Sequence, residues 1–127
     1  AYVVLPKSTS EDTASYSQNP DIEILCSNNS MHAVRDNTTG IIGANIFEPS
    51  SLGGLNILTP CAIIYKYDNG VYNINVSDPT LLLNTIQIEF VNDIIVNGDE
   101  NITLKGKVVS INMKKHGATY SFTATEQ

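Results

Sequence analysis

The stretch "YDNGVYNINVSDP", Tyr67–Pro79, decides how the rest of the chain is read. Its Asn69-Gly70 pair lies between two apolar runs, and this dipeptide suits the tight two-residue turn that closes an antiparallel hairpin. After the turn the residues alternate. Tyr72, Ile74 and Val76 fall on one side of an extended chain, and Asn73, Asn75 and Ser77 fall on the other. Asp78-Pro79 then ends the run, because proline has no N–H to give a ladder and restricts the residue before it. The spacing predicts a hairpin with one buried face and one wet face.

The same alternation recurs along the chain. In "TIQIEF" Ile86, Ile88 and Phe90 alternate with Gln87 and Glu89. In "VSINMK" Val109, Ile111 and Met113 alternate with Ser110, Asn112 and Lys114, and near the end Tyr120 and Phe122 alternate with Ser121 and Thr123. Each run buries a single face, as in antiparallel sheets packed on a shared core. "VNGDEN" and "KKHGAT" mark two more turns. About nine to eleven strands at this spacing predict an all-β fold, an antiparallel β-sandwich. One segment departs from the pattern. "SEDTASYSQNP" offers Ser8 or Ser10 as N-cap, Glu11 and Asp12 in a first turn and Pro20 past the end, which predicts a short N-terminal surface helix over Ser8–Gln18.

The chain has 127 residues, enough for one domain with a real core. It begins at Ala1 inside the strand-like run "AYVVLP", with no Met and no signal-type segment ahead of it, so it is expected to be a piece of a longer protein. No run approaches the apolar length of a membrane-spanning helix, and no membrane partner is expected. The formal charge is −6 and the sequence pI about 4.6, which argues against nucleic acid as a partner. Lys105, Lys107, Lys114 and Lys115 form the one basic cluster, in a hairpin near the C-terminus; a solvated face is the ordinary reading, and contact with a polyanion the alternative.

Candidate chemistry is sparse. Cys26 and Cys61 lie in apolar strand-like runs without CxxC spacing, so two buried thiols are preferred over a bridge or a zinc site. His32 and His116 have no orienting partner in sequence that would mark them as catalytic. Asp93, Asp99 and Glu100 match no calcium-loop spacing and read as a charged turn. Tyr65, Tyr67 and Tyr72 flank the Asn69-Gly70 turn; they could form a platform for a sugar ring or simply pack across strands. No phosphate loop, nucleophile elbow or paired catalytic carboxylates are present, and neither a metal nor a cofactor is expected.

Three stretches carry a family resemblance. "YVVLPKSTSEDTASYSQNPDIEILCSNNSMHAVRD", Tyr2–Asp36, resembles the beginning of the C-terminal domain of polysaccharide lyase family 8, the hyaluronate, chondroitin and xanthan lyases. In that family a strand ending in Leu-Pro leads to a short acidic helix. Asn-Pro, a strand of the type "DIEIL", a polar turn and a strand of the type "QAVRH" or "QAVRD" follow. "GANIFEP", Gly43–Pro49, with Gly53-Gly54 resembles the family's "ANFWEAG…GG", and "VSDPT", Val76–Thr80, its Ser-Asp-Pro-Thr. Two positions depart: Ile46-Phe47 stands where the family often has an aromatic pair or Trp, and His32 replaces the commoner Gln.

The resemblance implies a modular, secreted bacterial enzyme that cleaves uronic-acid-containing chains by β-elimination. An N-terminal α/α toroid and a central β-sandwich would precede this domain in the parent chain and be its partners. The catalytic Asn, His and Tyr of the family belong to those missing parts, so no catalytic residue is carried over here. Residues 1–7 would close the central domain or link to it, and residues 8–127 would form the C-terminal sandwich. The expected role is structural, bracing the central sandwich. The alternatives are a carbohydrate-binding module, with Lys105, Lys107, Lys114, Lys115, Tyr65, Tyr67 and Tyr72 as candidate contacts to an acidic polysaccharide, or an unrelated adhesin-type surface sandwich.

Overall fold

A computed structural model describes residues 22–80, 83–113 and 118–127. The helix expected over Ser8–Gln18, the segment 1–7, and the turn carrying Lys114, Lys115 and His116 lie outside the described residues. Among the described residues there are twelve strands: β1 (Ile22–Ser27), β2 (Met31–Asp36), β3 (Ile42–Ile46), β4 (Ser50–Leu52), β5 (Leu55–Ile57), β6 (Cys61–Asp68), β7 (Val71–Ser77), β8 (Thr85–Phe90), β9 (Ile94–Asn97), β10 (Ile102–Lys105), β11 (Val108–Asn112) and β12 (Thr119–Glu126). They form a seven-stranded sheet in the order β1-β2-β3-β6-β7-β12-β9 and a five-stranded sheet in the order β10-β11-β8-β5-β4, with every pairing antiparallel. The all-β sandwich expected from the alternation is the observed fold.

The deciding hairpin forms as its sequence dictates. Asn69 and Gly70 take φ of 50° and 81°, the two left-handed positions that match the twist of the flanking strands. Tyr72, Ile74 and Val76 are buried and the residues between them exposed. "VNGDEN" behaves differently. It is a turn, but β9 pairs with β12 in the first sheet whereas β10 pairs with β11 in the second, so it carries the chain from one sheet to the other. Period two fixes which face a strand buries, and leaves open which neighbour it pairs with.

The core lies between the two inner faces. Ile63, Ile74, Val76 and Ala124 from the first sheet meet Leu55, Ile57, Ile86, Ile88, Val109 and Ile111 from the second, all essentially excluded from water. Each such isoleucine, leucine or valine side chain stabilises the fold by about 1.5–3 kcal/mol relative to exposure. A bulge in β1 shapes its edge. Ile24 pairs with Val34 but Cys26 with Ala33, leaving Leu25 as the extra residue, and both Leu25 and Cys26 pack against the core. Both thiols are free, Cys61 in the core and Cys26 half-buried beside the Asn28 amide at 3.1 Å.

The Ser-Asp-Pro-Thr stretch proves to be a turn built on a buried carboxylate. Asp78 is 2% exposed, and its Oδ1 accepts the Thr80 N–H at 2.8 Å and the Thr80 hydroxyl at 2.6 Å, while Oδ2 accepts the Leu83 N–H at 2.7 Å. Three donors on one carboxylate offset the cost of taking a charge out of water.

The two outer faces differ in character. The second sheet carries a polar ladder: the Ser51 hydroxyl donates to Asn56 at 2.7 Å, and the Asn56 amide to Glu89 at 3.2 Å. Across the first sheet one row reads Ile24, Val34, Gly43, Ile64, Asn75, Ser121. Its β1–β6 half is apolar, with Ile24, Val34 and Ile64 at 51%, 39% and 54% exposed.

Candidate functional site

Two inner-face rows of the first sheet end in chemistry rather than hydrocarbon. Along the ladder, Glu23, Arg35, Ile42, Tyr65 and Ile74 share one row, and Tyr67, Tyr72 and Ala124 share the next. Glu126 stands two residues beyond Ala124 on the same side of β12. The rows lie at the end of the sandwich where β6 turns into β7. Tyr65 and Tyr72 are buried there, but Tyr67 is 48% exposed. A cleft of about 520 Å³ opens at this end, walled by Arg35, Tyr67, Tyr72, Asn92 and Glu126 and by the bare backbone of Gly53-Gly54.

The three tyrosines do come together. The Tyr67 and Tyr72 rings lie 4.6 Å apart between centroids, Tyr65 and Tyr72 6.0 Å, and Tyr72 meets Phe90 edge-on at 5.3 Å. The β4–β5 turn is glycine because these rings press on it. A Cβ on Gly54 would overlap the Tyr72 hydroxyl, and one on Gly53, whose φ is +61°, would lie 3.0 Å from the Tyr65 hydroxyl. The Val91 N–H donates to the Gly54 carbonyl at 3.1 Å and fixes the loop that carries Asn92.

Glu126 is the polar centre of the cleft. The Tyr67 hydroxyl donates to its Oε1 and the Asn92 amide to its Oε2. These two hydrogen bonds hold its carboxyl below the ordinary range, and the same bond to Glu126 raises the Tyr67 phenol. Burial pushes Tyr65 up to about 12, with the neighbouring Tyr72 adding to the rise and the Arg35 charge partly offsetting it. Burial and the Glu126 charge raise Tyr72 as well. Near neutral pH the cleft therefore presents neutral phenols, an ionised carboxylate, an amide and the Arg35 guanidinium, which sits 3.8 Å from Glu23. The set offers hydrogen bonds of both polarities and an aromatic face.

Lys105 and Lys107 sit at the exposed β10–β11 hairpin, where Lys107 Nζ donates to the Val91 carbonyl at 3.2 Å, one residue from Asn92 on the cleft rim. Arg35, Asn92 and Glu126 were not among the residues singled out in the sequence. The first and last of these carried a signal: each is a charge placed on the apolar register of its strand, after Met31 and Ala33 in β2 and after Tyr120, Phe122 and Ala124 in β12. His32 instead lies against Phe47, ring edge to face at 5.2 Å. Asp99 caps its own turn, its Oδ1 accepting the Asn101 N–H at 2.8 Å. Among the described residues no group of three His, Cys, Asp or Glu side chains converges on a cation site, and no helix is long and apolar enough to cross a membrane.

Comparison with known proteins places the chain. The model of the C-terminal β-sandwich domain of polysaccharide lyase family 8 matches residues 23–87, about half of the chain. A hyaluronate lyase of Thermasporomyces composti is 26% identical over 88 residues, covering 68% of this chain and 11% of its own length. A xanthan lyase structure from Paenibacillus superposes with a TM-score of 0.80 at 26% identity, over 97% of this chain and 13% of that one. A chondroitin AC lyase of Streptomyces coelicolor A3 shares the fold, with a TM-score of 0.72 at 15% identity over 94% of this chain and 17% of that one. The chain thus spans between about a tenth and a sixth of the length of these relatives. The chain belongs to polysaccharide lyase family 8, in which it corresponds to the C-terminal β-sandwich domain.

Proposed function

We propose that this chain is the non-catalytic bracing domain of a secreted bacterial lyase that depolymerises uronic-acid-containing polysaccharides by β-elimination. Its task is to dock on the rest of its own parent chain, the central sandwich above all, and to stabilise it. The observation that carries this reading is the contrast between the two outer faces. The second sheet turns a hydrogen-bonded polar ladder to solvent, whereas the first exposes Ile24, Val34 and Ile64 in one row, with Gly43 as a notch between Val34 and Ile64. Neighbouring apolar side chains left exposed along one row favour a surface that is covered in the whole protein. The occupant is the remainder of the parent, because the relatives devote more than four-fifths of their length to other parts. Family membership sets the adhesin-type alternative aside.

The test is a charge on the row in the full-length protein. Ile64→Lys is expected to lower the thermal midpoint of the parent lyase and to open the domain junction to limited proteolysis. The initial rate on its polysaccharide at low temperature should stay close to wild type. An unchanged midpoint and unchanged proteolysis would remove the docking reading; loss of rate with an unchanged midpoint would give the domain a part in catalysis.

A further inference from the structure

We infer that the cleft at the open end of the sandwich is a saccharide site that takes one uncharged pyranose ring, with Tyr67 as its stacking face and Arg35, Asn92 and Glu126 as its hydrogen-bonding groups. This inference is independent of the docking reading, since it concerns the inner-face end of the first sheet and not its outer row.

The shape fits a small ligand. About 520 Å³ lies within the roughly 300–1,000 Å³ of small-molecule sites, and most of the bounding surface is fixed by the fold. One ring of the tyrosine cluster faces solvent while the other two are packed beneath the turn, so a ligand meets an aromatic face already held in place by Tyr72 at 4.6 Å. An amphipathic ring anchored on one side suits the C–H face of a pyranose, which is apolar above and below and polar around its rim.

The polar groups suit that rim. Arg35 supplies donors only, the Glu126 carboxylate acceptors only, and the Asn92 amide both, which is the mixture that neighbouring sugar hydroxyls require. Glu126 is preorganised. Each of its oxygens already accepts one hydrogen bond, from Tyr67 and from Asn92, and each keeps a further lone pair for a ligand. Groups fixed in advance lose little freedom on binding, and affinity gains accordingly. Arg35 is only loosely paired with Glu23, at 3.8 Å and exposed, and stays free to turn toward a ligand.

Charge selects among sugars. Arg35 carries the cleft's positive charge, and two carboxylates, Glu23 and Glu126, stand against it. Lys107 keeps its positive charge while donating to the Val91 carbonyl, but it is not part of the cleft wall. A uronate carboxylate or a sulfate entering here meets net negative charge, whereas a neutral hexose or N-acetylhexosamine does not. In chains that alternate acidic and neutral sugars, the cleft would grip the neutral unit.

Amide chemical shifts of the isotope-labelled 127-residue chain test this directly, since the chain closes its own core from both sheets. Cellobiose and N,N′-diacetylchitobiose are the neutral probes and glucuronate the acidic one. Saturable shifts confined to residues around Arg35, Tyr67, Asn92 and Glu126 are expected for at least one neutral probe at millimolar concentration, with glucuronate at least tenfold weaker. Tyr67→Ala and Arg35→Ala should each abolish the shifts in a chain whose remaining spectrum is unchanged, and Tyr67→Phe should weaken them by releasing Glu126. No saturation by either neutral probe up to tens of millimolar, saturable shifts elsewhere on the surface, or equal binding of glucuronate would overturn the assignment.

Discussion

The Tyr67 hydroxyl donates to the Glu126 carboxylate, tying β6 to the last strand at the open end of the sandwich. The backbone reinforces the tie, for the Glu126 N–H donates to the Gly70 carbonyl at 2.7 Å. One residue therefore closes the β6–β7 hairpin against β12 through both its main chain and its side chain.

The tie has a pH signature. The folded pKa of Glu126 lies below its ordinary 4.5, so its contribution to stability is complete above that value and is lost as pH falls through the lowered folded value. Tyr67 is raised above 10.0, so its contribution holds below that value and fades as pH rises through the raised one. Glu126→Gln is expected to be less stable than wild type at neutral pH, with the gap closing on acidification below about pH 4. Denaturant titrations across the acid range check this, and a gap that widens on acidification contradicts it.

Gly54→Ala places a methyl group where the Tyr72 hydroxyl lies. Overpacking of this kind costs about 1–3 kcal/mol. Removing the hydroxyl should restore much of it, so the double variant Gly54→Ala/Tyr72→Phe is expected to be more stable than Gly54→Ala alone. A thermal double-mutant cycle reads the coupling between the two positions.

Ile88 and Ile64 are the same residue type on opposite sides of the sandwich wall. Ile88 is fully buried between the sheets, whereas Ile64 is 54% exposed on the outer row. In the isolated chain Ile88→Ala is expected to cost about 2–5 kcal/mol. Ile64→Ala should stay within about 0.5 kcal/mol. Chemical denaturation of the two variants separates them.

Cys61 should be inert. Burial, with the negative charge of Asp78 adding to it, pushes its thiol up to about 12, so almost none is thiolate at neutral pH. A thiol-specific reagent is expected to modify Cys61 only at the rate of unfolding. Asp78→Ala, which removes the acceptor of the Leu83 and Thr80 N–H groups, should speed that modification by loosening the turn, at a cost of about 0.5–3 kcal/mol.

Much of this architecture was legible in the residues. Asn69-Gly70 announced its hairpin, and the alternations at Tyr72–Val76, Ile86–Phe90 and Val109–Met113 named the buried faces correctly. Pairing partners were not legible, because a ladder joins residues far apart in sequence. Nothing in "VNGDEN" says that β9 will lie against β12. The strands β4 and β5 have three residues each, too few for a period to show, although Gly53-Gly54 between them was visible as a motif. The cleft was half legible. Its tyrosines stood out around the turn, but that Tyr65 and Tyr72 are buried and Tyr67 exposed depends on how far the second sheet reaches over the first. Arg35 and Glu126 stand on the apolar register of their strands, but that they meet at one cleft shows only in the pairing of the strands.

Oxidative footprinting of side chains in the full-length parent and in the isolated chain tests the central claim most directly. Ile24, Val34 and Ile64 should be oxidised readily in the isolated chain and strongly protected in the parent, while Leu104 on the second sheet reacts alike in both. Equal oxidation of Ile64 in the two proteins would contradict the account, because the apolar row would then face water in the whole enzyme and brace nothing.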